Sequence, residues 1–131
     1  MFQPAGKSIA FNRTRQVVLA REVTRADTHW SRLRGLVGTP ASRFSGGQGL
    51  WLVPCRGIHT LAMSYPIDAL YLDRNNIVVH LVQKLAPWRF APVKVSAATV
   101  LEVPARTVAE TNTQVGDQIE FQTPDEANRP A

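Results

Sequence analysis

A chain of 131 residues with 44% hydrophobic content reads as one packed domain rather than a disordered tail, long enough to bury a core without help from a disulfide or a metal. Its lone cysteine, Cys55, excludes an intrachain disulfide, and no run of about 18 apolar residues offers a membrane-spanning helix. The net charge of +5 is lopsided, because residues 1–43 hold eight Lys and Arg against Glu22 and Asp27, while the rest of the chain holds seven against eight acids; that N-terminal third either meets a polyanion, such as nucleic acid or acidic lipid, or forms a solvated arginine-rich face.

Residues 1–14, with Pro4 and Gly6, read as a loosely attached arm, and their lack of an apolar run of about 7–15 residues makes the chain as given a cytoplasmic one. The β-branched run Gln16–Val23 predicts a strand. Asp27-Thr28 is a good helix start ahead of Trp30, Leu33 and Val37 at helical spacing, with Gly38 and Pro40 as stop signals, so a helix is expected over about 28–37. After a flexible stretch around Gly46-Gly47, residues 50–53 and 57–63 predict two strands separated by Pro54-Cys55-Arg56.

Ile67–Leu72 and Ile77–Val82 are apolar, β-branched runs joined by Asp73-Arg74-Asn75-Asn76, and asparagines tolerate the positive φ that tight turns demand, so the pair predicts a hairpin. Residues 83–95, with Pro87, Trp88, Phe90 and Pro92, predict an irregular connection that either covers the core or presents a surface. Thr99–Val103 predicts a strand stopped by Pro104, residues 105–111 a helical turn, and Gln118–Gln122 a last strand. From Thr123 the polar composition predicts a frayed tail over 123–131. The sum is a compact, β-rich α+β single domain over residues 15–122: a curled, mostly antiparallel sheet with one N-terminal helix and a short C-terminal helical turn.

Two constellations could carry chemistry. Cys55, His59 and Met63 are equally spaced soft or borderline ligands that would converge on a helix; on the expected strand, residues four apart lie about 13 Å from each other, too far to share one ion, and no metal or cofactor is implied. Arg34 borders the apolar stripe of the expected helix, and Asp68 shares a strand face with Leu70 and Leu72. A partly buried contact between them would satisfy both charges, whereas a snorkelling Arg34 and a separately satisfied Asp68 would need none. No nucleophile elbow, phosphate-cradling glycine loop or paired CxxC is present.

Arg34-Gly35-Leu36, Cys55-x2-Ile58-His59-Thr60-x2-Met63-x2-Pro66-Ile67-Asp68, Pro87-Trp88, Val100-Leu101-Glu102-Val103-Pro104-Ala105 and Val115-Gly116-Asp117, in that order over residues 16–122, resemble the family catalogued as domain of unknown function 192. The resemblance implies a compact β-rich α+β fold found in bacteria and archaea, with no agreed activity, and marks Arg34, His59, Thr60, Met63 and Asp68 as a family signature. Where such sequences commonly have Gly after Pro-Ala, this chain has Arg106, which argues against a tight glycine-dependent turn there. The expected function is therefore a non-enzymatic binding or accessory domain for an anionic ligand or a partner protein, with Arg34, His59, Thr60, Met63, Asp68 and Trp88 as candidate ligand-binding residues. The alternative is a small enzyme or metal binder built around Cys55, His59 and Asp68.

Overall fold

The structure, a computed structural model, describes residues 7–128; the side chains of Trp30, Leu33 and Arg34 lie outside the description. Seven strands, β1 (Ser8–Asn12), β2 (Val17–Ala26), β3 (Gln48–Leu52), β4 (Ile67–Leu72), β5 (Val78–Leu85), β6 (Thr99–Pro104) and β7 (Ile119–Gln122), form one sheet in the order β5-β4-β6-β3-β2-β1-β7. Every neighbouring pair is antiparallel except β2 with β3, whose parallel pairing needs the long crossover that residues 27–47 supply. The sheet curls until its two edges meet at one end. Ile77 bridges Gln118, and the amides of Val78 and Ile119 donate to the carbonyls of Asp117 and Asn76 at 2.9 Å.

Ser8–Asn12, expected within a loose arm, is instead a strand held on both sides, by β2 and β7. Asn12 is fully buried there; its side-chain amide donates to Thr113 Oγ1 at 3.1 Å and to Asp117 Oδ2 at 3.0 Å, while Arg15 Nε reaches the same Oδ2 at 3.1 Å. These bonds tie the start of the chain to its last turn.

The helices are few and short. The element expected over 28–37 shrinks to α1 (His29–Arg34), six residues closed at its start by a Thr28–Ser31 capping box and at its end by Gly35. It follows two strands, and among the described residues no other helix precedes it; a single 3-10 turn follows at Ala41–Arg43, and two further α-helices, α2 (Thr107–Thr111) and α3 (Pro124–Ala127), lie at the C-terminal end. Pro124–Ala127 falls within the stretch expected to fray, where Thr123 and Glu126 cap one another.

The hairpin turn forms as its residues suggest: Asp73 Oδ1 accepts from the amides of Asn75 and Ile77, and Asn76 takes φ 60°. Residues 57–63 do not form a strand. The backbone groups of Ile58 and Thr60 bond to Trp88, Arg89 and Ala91, leaving a single bridge, His59 to Phe90. At Arg106 the chain makes the left-handed turn that the missing glycine argued against, with φ 80°.

Each face of the sheet has its own core. Leu70, Leu72, Leu101, Val103, Val23, Val78 and Ile119 come from β2, β4, β5, β6 and β7 and share one cluster, as the concave side of a curled sheet allows. Gly49 permits that closure, since a Cβ there would lie 3.2 Å from both Ala20 and Val23. The alternate residues of β4 and β6, Ile67, Ala69, Tyr71 and Val100, pack on the convex side under Leu36, Phe44, Ile58, Met63, Ala91 and Ala97. From Val100 to Val103 β6 is thus apolar on both faces, the pattern of a strand buried on both sides, with one exception: Glu102.

Candidate functional site

Glu102 sits in mid-strand, opposite Leu50 of β3 and Ala69 of β4, so alternation turns it to the convex side with Val100. It is 2% exposed, and Oε2 has no hydrogen-bond partner. Burial pushes its pKa up from 4.5 to about 8, because a carboxylate loses its hydration in low dielectric. At neutral pH the group is therefore mostly a carboxylic acid, able to donate as well as accept.

Above Glu102 lies a half-open cavity of about 280 Å³ lined by Arg32, Gly35, Leu52, Cys55, Gly57, Ile58, His59 and Glu102. Its roof is the end of α1. Gly35 adopts φ 51°, ψ −125°, a conformation L residues avoid, and a Cβ built on it would stand 3.6 Å from Glu102 Oε1. Arg32 is fixed at the border, donating to the carbonyls of Asp27 at 2.9 Å and Val53 at 3.2 Å and approaching His29 Nδ1 at 3.3 Å. The half-buried Cys55 thiol donates to the Gly57 carbonyl at 3.0 Å; burial pushes its pKa up, with the Glu102 carboxylate adding to the rise. Such a thiol is a poor nucleophile at neutral pH. Tyr71, buried on the same face, donates to the Pro92 carbonyl at 2.6 Å, and burial raises its pKa to about 12, with Cys55 and Glu102 contributing.

The residues singled out in the sequence disperse. His59 lines the cavity, and its Nδ1 accepts from the Leu61 amide at 3.2 Å, which leaves Nε2 to carry the proton. Thr60 is buried and serves as a clamp: Oγ1 donates to the Ala86 carbonyl and accepts from the Arg89 amide at 2.9 Å. Met63 packs into the convex core. Trp88 stands out in solvent at φ 63°.

Asp68 faces the concave side, one register step from Ala69, and so lies across the sheet from Cys55, His59 and Glu102. Its carboxylate is spent on the backbone: Oδ1 accepts from the Lys84 amide at 2.8 Å, where β5 bulges, and Oδ2 from the Val108 amide at 2.9 Å in the first turn of α2. The arrangement built on Cys55, His59 and Asp68 together is therefore not assembled. The expected Arg34 contact to Asp68 involves a side chain outside the described residues. Among the described residues no three His, Cys, Asp or Glu side chains could hold one metal ion, and no helix is long and apolar enough to cross a membrane.

Much of the N-terminal positive charge is engaged within the chain. Lys7 pairs with Glu22 at 3.2 Å, Arg15 with Asp117 at 3.1 Å and Arg25 with Asp27 at 3.3 Å, and Arg25 also lies over the Trp51 ring.

Comparisons with known proteins agree on the fold. The profile of the family DUF192, described as Uncharacterized ACR, matches residues 10–121. A "UPF0127 protein" of Thermococcus sibiricus is 31% identical over 120 residues, covering 88% of this chain and 75% of the relative. Another, from Pyrococcus furiosus, is 36% identical over 64 residues, covering 49% of this chain and 54% of that one. Two crystal structures superpose with a TM-score of 0.75 at 18% identity. One is a protein of unknown function from Novosphingobium aromaticivorans, covering 86% of this chain and 83% of its own; the other is described as a putative transcription regulator from Sinorhizobium meliloti, covering 92% and 98%.

Proposed function

The chain belongs to the DUF192 family, whose description assigns no activity, and on that premise we propose that it is a binding domain whose cavity beneath Gly35 takes a small dipolar molecule. Glu102 carries this reading. A buried carboxyl group with an oxygen left unpaired costs stability, and such a group lining a largely apolar cavity is a hallmark of a ligand site. Among the described residues two other buried side-chain polar atoms lack partners, Trp51 Nε1 and Thr99 Oγ1, but neither lines this cavity.

The chemistry of the lining selects the ligand. Leu52, Ile58 and the two glycines offer apolar walls for a small body, Glu102 a place for an amine or amide donor, and Arg32 a cation at the border for an acidic or carbonyl end. A protonated amine would supply the missing counter-charge and ionise Glu102 on binding. His59 flanks the ligand through its ring, and Thr60 fixes the wall that carries it; Met63 and Asp68 belong to the framework on which the cavity is built.

The test is a screen of small amines, amides and amino-acid-like fragments by protein NMR, followed by calorimetry in buffers of differing ionisation heat. The expected result is chemical-shift change at the amides of Gly35, Ile58 and Glu102, with about one proton released per amine bound at pH 7, and no such release in Glu102→Gln. Fragments that perturb other regions only, or that bind Glu102→Gln equally well, would overturn the proposal.

A further inference from the structure

Residues 86–98 invert the usual pattern of a packed segment. They run beside residues 56–60 through a short backbone ladder: Trp88 amide to Thr60 carbonyl at 2.9 Å, Thr60 amide to Arg89 carbonyl at 2.8 Å, Ala91 amide to Ile58 carbonyl and Lys94 amide to Arg56 carbonyl at 2.9 Å. On this fixed track the alanines, Ala91 and Ala97, are buried, while Trp88 is 62% exposed, Phe90 74%, Val93 72% and Val95 84%. A segment serving only to cover the core would do the reverse, since burying large apolar side chains is what stabilises a fold. Trp88 even adopts φ 63°, a costly conformation for a bulky residue, held by the Thr60 clamp. The exposure is thus built in by hydrogen bonds rather than left over from fraying.

The charge around this ridge has one sign. Residues 83–98 contain Lys84, Arg89 and Lys94 and no carboxylate, and residues 54–63 add Arg56, again without an acid. Contiguous exposed apolar side chains mark an interaction surface. Trp and Phe beside Arg and Lys suit the boundary between water and acyl chains, where amphipathic rings settle and cations meet acidic headgroups. Single-stranded nucleic acid also uses aromatic and basic residues, but Val93 and Val95 present no flat face on which a base could stack.

We infer that the 88–95 ridge is a peripheral membrane-docking surface that inserts Trp88, Phe90, Val93 and Val95 into the interface of an anionic bilayer while Arg56, Arg89 and Lys94 engage its headgroups. It backs onto the wall of the Glu102 cavity, where Phe90 bridges His59, but does not depend on what that cavity binds.

Each cation near an acidic surface strengthens binding about fivefold, so three give about a hundredfold preference for anionic over zwitterionic vesicles. The experiment is co-sedimentation of the purified chain with phosphatidylcholine vesicles with and without 30% phosphatidylglycerol, with bromolipid quenching of tryptophan fluorescence to report insertion. Expected are partitioning to the anionic vesicles only, weakening with salt, and a loss of at least about tenfold in Trp88→Ser/Phe90→Ser, whose exposed sites leave urea stability unchanged. The inference is overturned if no partitioning occurs at millimolar lipid or if the double variant binds vesicles as well as the parent; it is equally overturned if the double variant instead abolishes binding to single-stranded nucleic acid, or dissolves a dimer seen by light scattering, in a protein that ignores vesicles.

Discussion

Glu102→Gln should make this protein more stable the higher the pH, and the size of the effect follows from the structure. Glu102 is fully buried, and its pKa is raised from 4.5 to about 8, so the folded state keeps a proton that the unfolded chain releases above about pH 4.5. The stability this group contributes is complete below that pH and is lost as pH rises through the folded value. The slope is about 1.4 kcal/mol per pH unit. Relative to a variant that cannot titrate, the parent should lose about 3 kcal/mol by pH 7 and about 4 kcal/mol by pH 8.

Glutamine keeps the shape and the hydrogen-bonding character of the protonated acid, so the two proteins should match near pH 4.5, and every other titrating group cancels in the difference. Urea unfolding of both proteins at half-unit steps from pH 4.5 to 8.5 measures it directly. Parallel stability profiles would refute the reasoning, because they would mean that the carboxylate ionises without penalty and that its charge is compensated where it sits.

Three further outcomes are expected. Asp68→Asn should cost about 1–3 kcal/mol in urea unfolding, since one amide oxygen cannot accept from both the Lys84 and Val108 amides and a buried donor is left unpaired; a neutral result would mean that water or a second acceptor replaces Oδ2. Arg106→Gly should raise stability by about 0.5–1 kcal/mol, because φ 80° strains a side-chain-bearing residue more than glycine's extra chain entropy costs, and thermal denaturation reads the sign. The Cys55 thiol should react with a neutral alkylating reagent much more slowly than a free thiol at pH 7, faster as pH rises, and more slowly again when the cavity is filled; mass spectrometry over time follows all three.

The hairpin of β4 and β5 and the strands β3 and β6 were legible because β-branched runs bounded by Asn, Asp, Gly and Pro leave little else for the backbone to do. β1 was not. Ser8–Asn12 is short and follows Pro4 and Gly6, and what makes it a strand is pairing with β7, more than a hundred residues away. Residues 57–63 carry strand-like composition, yet the backbone groups of Ile58 and Thr60 are taken by residues 88–91, a competition that no local pattern reports.

The site divides in the same way. Asp68 facing Leu70 and Leu72 followed from alternation, but its true partners are two backbone amides, and backbone groups leave no mark in side-chain spacing. Glu102 was missed, although Val100-Leu101-Glu102-Val103 carried a signal: a strand apolar at both odd and even positions is buried on both faces, so its one acid must be buried too. What lay above that acid depended on how α1 ends, and so stayed invisible.

The seam that joins β1 to β7 has a consequence for how the chain is made. Asn12 and Asp117 are separated by 105 positions, so during synthesis the first strand leaves the ribosome with one edge unclaimed and waits for nearly all the rest to follow. Closing so large a loop costs entropy before any contact repays it, which slows folding and concentrates it in the moments after β7 emerges. Until then β1 offers free amides and carbonyls to any passing strand, and the nascent chain is at its most vulnerable to aggregation where the finished protein is most tightly sewn.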